Sequence, residues 1–182
     1  MDETILTERP PLRKTWARSG EQALVPITGN RDKRIMYGAL NIKTGSMLLC
    51  DTPTCNQDDF QVFLFMIDEM WKSWHIVLFL DQSSAHTADL SIDLADELHI
   101  ELRWLPKACP QLNPMDHLWR HLKNEVLPNE SISVDEMVAK SYEYFSHLRP
   151  KEILRKASVL SPSFWLSNTI RKHKTRQSDN LL

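Results

Sequence analysis

Ile76-Val77-Leu78-Phe79-Leu80-Asp81 is a run of five apolar residues that ends on an aspartate. A half-exposed strand would alternate, and a buried helix would need ten or more residues. A short, continuously apolar run is the pattern of a central strand covered on both faces. Asp81 then stands at the strand's C-terminal end, where open α/β sheets bind their ligands. Burying a carboxylate there is costly without a cation or hydrogen-bond donors. The same position suits an Asx turn leading into Ser83, and position alone leaves both readings open.

Working outward, Arg34 to Asn41 and Ser46 to Asp51 flank Ile42 to Gly45, which reads as a β-hairpin with Gly45 free to take positive φ. Asn56 followed by Asp59 is a helix-start signal, and the helical spacing of Phe60, Phe63, Leu64, Ile67, Met70 and Trp71 carries a helix from about Gln57 to Trp74. Downstream of Asp81, a helix is expected over about Ala88 to Leu98. Ile100 to Leu105 alternates as a strand, with Ile100, Leu102 and Trp104 on one face, and Pro106 stops it. Asn113 caps the next helix and Pro114 occupies its first position. Met115, Leu118, Trp119, Leu122 and Val126 form its apolar stripe. Further helices are expected over about Val134 to His147 and from Pro150. Asp2 to Leu6 reads as the tail of a strand whose greater part would precede Met1. The order implies a mixed α/β sheet flanked by helices, its first strand largely missing.

The 182 residues are one domain's worth, and 42% hydrophobic is enough for a sizeable core. Lys and Arg total 22 against 24 Asp and Glu, a net charge of −2. That excludes the strongly basic balance of a free-standing nucleic-acid binder, so any DNA contact must use local positive charge. Cys50, Cys55 and Cys109 form no disulfide framework. They are expected to be buried or semi-buried thiols, Cys50 and Cys55 being too weak a pair for a metal clip. No signal peptide or membrane-length apolar run is present, which implies a cytoplasmic protein. Arg171, Lys172, Lys174 and Arg176 give the C-terminus a basic run, a charge pattern more often solvated than functional.

Two further carboxylates draw attention. Asp116 is the third residue of the helix opened by Pro114, off its apolar stripe and on a face with Arg120 and Lys123. Taken alone, a carboxylate favouring the helix N-terminus and pairing with Arg120 accounts for it better. Asp2, in Asp2-Glu3, says nothing alone. Together with Asp81 they are what two-metal phosphoryl transfer requires, carboxylates converging from separate elements on hard divalent ions. The chain has no G-x-S-x-G, only four glycines and no histidine-rich zinc spacing, so no competing nucleophile arrangement stands out.

Thirty-four residues separate Asp81 from Asp116. Leu105-Pro106-Lys107-Ala108-Cys109-Pro110-Gln111-Leu112-Asn113-Pro114-Met115-Asp116 resembles the LPxxSPxLNPIE signature of the DDE transposases of the Tc/mariner superfamily, the bacterial insertion-sequence branch above all. Trp119 and Lys123 match the W…K continuation of that signature. Leu80 to His86 resembles its LDNxxxH segment, with Gln82 for the usual Asn. Asp2-Glu3 resembles its opening Asp-Glu, and Trp16 with Gly20 its downstream W…G. The likeness extends from Asp2 to about Leu127.

The resemblance implies an RNase H-like catalytic domain over residues 1–160 and a tail over 161–182. It implies Asp2, Asp81 and Asp116 as catalytic residues and as ligands of two Mg²⁺ or Mn²⁺ ions, and His86, Arg120 and Lys123 as DNA contacts, His86 alternatively organising the groups behind the ligands. The implied activity is transposase: cleavage and strand transfer at the terminal inverted repeats of an insertion element, into target DNA. The implied assembly is a homodimer, nucleoid-associated and without a membrane partner. Asp116 stands where this branch usually has Glu, as in the mariner branch. A helix-turn-helix region expected ahead of the domain is not read, so a truncated chain is expected, with Asp2 poorly positioned. A catalytically inactive remnant binding a full-length transposase, and an RNase H-like nuclease acting on RNA–DNA hybrids, are the alternatives.

Overall fold

The computed structural model describes residues 1–8, 14, 16–22, 24, 31–127 and 132–167. Strands β1 (Asp2–Thr7), β2 (Lys33–Leu40) and β3 (Met47–Thr52) form an antiparallel sheet in the order β1-β2-β3. The β2–β3 turn closes as the sequence suggests, with Gly45 at φ 79°. Helix α1 (Gln57–Trp71) starts at Asn56, whose side chain and that of Asp59 form a capping box. It stops three residues short of the expected Trp74. Strand β4 (Ile76–Leu80), α2 (Asp89–Glu97) and β5 (Ile100–Trp104) make a parallel pair joined by its crossover helix, with Leu80 opposite Trp104.

Of the first strand, the six residues Asp2–Thr7 are in place. All six residues of β1 pair with β2, from Asp2 opposite Gly38 to Thr7 opposite Lys33. Asp2 is its first residue, and the strand runs one residue past the expected Leu6. The parallel pair is a separate hydrogen-bonded sheet. It meets β1 where the Met1 nitrogen donates to the Phe79 carbonyl at 2.6 Å.

Helices cover both faces of the sheet. On one side α1 packs Phe60, Phe63, Leu64 and Ile67 against Ile35, Tyr37, Leu78 and Leu80. On the other, α3 (Pro114–His121), α4 (Val134–His147) and α5 (Pro150–Lys156) bring Met115, Leu118, Trp119, Met137, Phe145 and Ile153 onto Leu6 and Met36. The expected cover on both faces of β4 is corrected, because α3 to α5 sit over β1 and β2. Leu78 and Leu80 are buried, while Val77 on the opposite face is 39% exposed. Phe79 lies under the edge of Trp165, ring centroids 5.2 Å apart. That indole also donates to the Leu112 carbonyl at 3.0 Å, so packing continues past residue 160. Of the thiols, Cys50 and Cys109 are half-buried and Cys55 is exposed. Arg171, Lys172, Lys174 and Arg176 lie outside the described residues.

Candidate functional site

Asp81 follows β4 directly. Its Oδ1 accepts the Ser83 backbone N–H at 3.1 Å, which is the Asx turn that the local sequence suggests. The same oxygen lies 2.8 Å from Nδ1 of His86, and the Asp81 side chain remains 57% exposed. Gln82 turns inward and donates to the Leu105 carbonyl at 3.1 Å, while Leu105 N–H reaches the Leu80 carbonyl at 2.8 Å. These bonds tie the ends of β4 and β5 together behind the aspartate. The substituted Gln82 therefore keeps its amide in use.

Asp116 comes from the other side of the sheet. Asn113 caps α3, its side-chain oxygen accepting from Met115 N–H at 3.1 Å, and its Nδ2 donates to the Met1 carbonyl at 3.0 Å. One buried amide thus begins the helix that carries Asp116 and pins it to the residue before Asp2. Close approach of α3 is possible because Gly38, opposite Asp2 in the β1–β2 ladder, has no side chain. A Cβ there would collide with the Met115 side chain and stand 2.7 Å from the Trp119 ring. The sequence reading passed over Gly38, whose importance depends on a contact between distant elements.

The result is a cavity of about 340 Å³ lined by Asp2, Asp81 and Asp116, together with the Leu105 to Pro110 loop, Asn113, Gln82 and Ser83. Ala108 on that loop holds φ 55°, a left-handed conformation rarely adopted by a residue with a Cβ. Burial foremost, and then the charge of Glu3, push the carboxyl of Asp2 up to about 7, with Asp116 and Asp81 adding to the rise and the Met1 amino group opposing it. Three carboxylates on one cavity, the buried one resisting ionisation, fit a hard divalent cation, which would relieve that repulsion.

The cationic neighbours divide. Arg120 is bound at 2.6 Å to Asp116, four residues back on the same helix. After His121 the helix widens into one π turn, Leu122–Val126, which contains Lys123. Burial pulls Lys123 below its ordinary range, and the charges of Asp2 and Asp116 pull it back up, so its ammonium belongs to the same electrostatic cluster. His86 is corrected as a DNA contact. Its side chain is 0% exposed and packs 4.5 Å from the Phe60 ring. A buried imidazole cannot reach a phosphate, and this one lies between Asp81 and Glu3, its Nε2 3.1 Å from Glu3 Oε1. Burial lowers its affinity for a proton, but Glu3 and Asp81 outweigh that and the net direction is upward. Glu3 is a second residue that the sequence reading left unassigned. Its signal was the Asp2-Glu3 pair, which resembles the family's opening Asp-Glu.

A search among curated proteins finds no relative of this sequence. Residues 1–138 match the family described as DDE superfamily endonuclease. Among solved structures, the chain is similar to the Mos1 strand transfer complex (21% identity, TM-score 0.67, covering 87% of this chain and 50% of that one). It is also similar to the Mos1 mariner paired-end complex with Mn (19%, TM-score 0.69, 93% and 54%). A third likeness is to the catalytic domain of Mos1 mariner transposase (18%, TM-score 0.57, 75% and 73%). The chain spans about half the length of the Mos1 chains in the two complexes. The fold is thus RNase H-like, as the resemblance implied, and with three quarters of its length matched the chain belongs to the DDE superfamily endonuclease family.

Proposed function

We propose that the cavity is the catalytic centre of a transposase that cleaves DNA at the ends of an insertion element and transfers the strands to a target. The observation that carries this reading is the meeting of Asp2, Asp81 and Asp116 on one cavity from β1, the end of β4 and the start of α3. Their oxygens would hold two divalent ions, Mg²⁺ or Mn²⁺, which supply Lewis-acid activation of the attacking oxygen and charge stabilisation of the leaving one. The Mos1 transposase structures, among them complexes with Mn and catalytic domains with Mg, support the choice of metal and of DNA as partner.

The chain's own residues do the positioning. Asp81 presents one oxygen to Ser83 and His86 and lines the cavity. Asp116 is aimed by the α3 cap. Arg120, exposed and paired with Asp116, and Lys123, inside the acidic cluster, supply the local positive charge that a chain of net charge −2 needs to meet phosphates. Double-stranded element ends and target DNA are the substrates in this reading, with a pair of chains in the synapse.

Calorimetry with Mn²⁺ alone, on the wild type and on Asp81→Ala and Asp116→Ala, is the first test, followed by Mn²⁺-dependent nicking of supercoiled plasmid. The reading expects Mn²⁺ binding that either substitution abolishes, and nicking that disappears with it. A folded wild-type chain that binds no Mn²⁺, or equal affinity in all three proteins, would sink the assignment.

A further inference from the structure

Asp2 and Glu3 are neighbours on β1, so strand alternation sends their side chains to opposite faces of the sheet. Asp2 joins Asp116 on the α3 side. Glu3 lies opposite Tyr37 in the β1–β2 ladder and turns toward the loop ahead of α1, where it is only 13% exposed. On one side it receives the Cys55 thiol, Sγ to Oε1 3.8 Å, and Cys55 in turn accepts from the Tyr37 hydroxyl at 3.5 Å. On the other side the same Oε1 lies 3.1 Å from His86 Nε2, and the opposite ring nitrogen reaches Asp81 at 2.8 Å.

Glu3, Asp81 and His86 bring ligand atoms within 4.8 Å of one another, a spacing that a metal ion can exploit. The ring argues against that use. Its two nitrogens point in different directions, each occupied by a different carboxylate, so neither faces both. The imidazole is a strut between carboxylates. The ring packs on Phe60, and the preceding residue is tied down by the Ser91 hydroxyl, which donates to the Ala85 carbonyl at 2.9 Å inside the core. The Nε2–Glu3 contact is close but not aligned as a hydrogen bond, leaving Nε2 buried without another partner. Among the described residues, the carboxylate of Glu3 is the charged partner at this end of the ring.

We propose that Glu3 is a positioning residue that acts through His86 to hold the Asp81 carboxylate in the orientation that faces the cavity. The inference rests on the metal-site reading for its consequence and on the apo geometry for its substance. Such outer partners of a metal ligand typically change metal affinity 10–100-fold when removed.

The test takes the full chain as wild type, Glu3→Ala, His86→Ala, the double variant of these two, and Asp81→Asn. Two readings are made: the ring-nitrogen NMR signals of His86 in metal-free protein, and Mn²⁺ affinity by calorimetry. Glu3→Ala and Asp81→Asn should each shift the His86 ring signals. Glu3→Ala and His86→Ala should each weaken Mn²⁺ binding about ten-fold or more, and the double variant should lose no more than the worse single one. Unmoved ring signals in Glu3→Ala, or losses that add, would overturn the proposal. A purely structural Glu3 would lower the melting temperature and leave both readings alone. Should Glu3→Ala fail to fold, Glu3→Gln keeps the shape while removing the charge, and the same signals must move and the same affinity fall. A wild type that binds no Mn²⁺ defeats the metal-site reading alone. The ring signals then still decide whether Glu3 holds His86.

Discussion

The carboxyl of Asp2 is held up to about 7, against an ordinary value of 3.8, because folding buries it beside three other acids. The fold therefore prefers its protonated form. A group whose folded value lies above its unfolded one contributes stability below about pH 4, and that contribution is lost as pH rises through about 7. The metal-free chain is expected to melt at progressively lower temperature across that window, and Asp2→Asn to flatten the dependence. His86, also raised, acts in the same direction, so the comparison of wild type with Asp2→Asn isolates the aspartate. In the proposed site Mn²⁺ would displace the Asp2 proton, so its affinity should rise with pH up to about 7 and level off above it. A pH-independent melting temperature and affinity in the wild type would show that Asp2 is already ionised.

At the scale of elements, the placing of α3 decides whether a site exists. Its N-cap Asn113 serves both its own helix and the Met1 carbonyl. Asn113→Ala removes the cap and leaves a buried carbonyl unpaired, an expected loss of about 2 kcal/mol in urea unfolding. Mn²⁺ affinity should fall with it as Asp116 drifts. Asn113→Asp keeps the cap and loses the donor, so it should retain helix stability and still weaken metal binding. Gly38 is the matching requirement on the sheet. Gly38→Ala forces Met115 to move and presses on the rigid Trp119 ring, at an expected cost of about 1–3 kcal/mol. An unchanged urea midpoint would mean that α3 yields more easily than its packing suggests.

Over the whole molecule, charge is the governing quantity. With a net charge of −2 and an acidic cavity, the chain has little general attraction for DNA. Binding of a short duplex in the presence of Ca²⁺ should therefore be weak and concentrated near Arg120 and Lys123. Lys123→Ala should lower affinity and make the dependence of log Kobs on log salt shallower by about 1. A slope unchanged in that variant would remove Lys123 from the DNA contacts. Among the described residues no helix is long and apolar enough to cross a membrane.

Local chemistry was legible in the sequence alone. The Asn56–Asp59 box, Pro114 after Asn113, Gly45 in its turn and the span of α4 all follow from bonds within a few residues, and each stands where the pattern put it. The Asp81 to Asp116 spacing and the Leu-Asn-Pro block around Asn113 were enough to name the family. What depended on distant partners was not readable. The apolarity of β4 could not say that, among the described residues, only one of its faces would be fully buried, since α3 to α5 pack on β1 and β2 instead. Tertiary structure alone buried His86 between two carboxylates and brought Glu3 to it, because that contact joins residues 83 positions apart, across separate elements. Short-range hydrogen bonding is written in neighbouring residues; burial and charge pairing are set only when the whole chain closes.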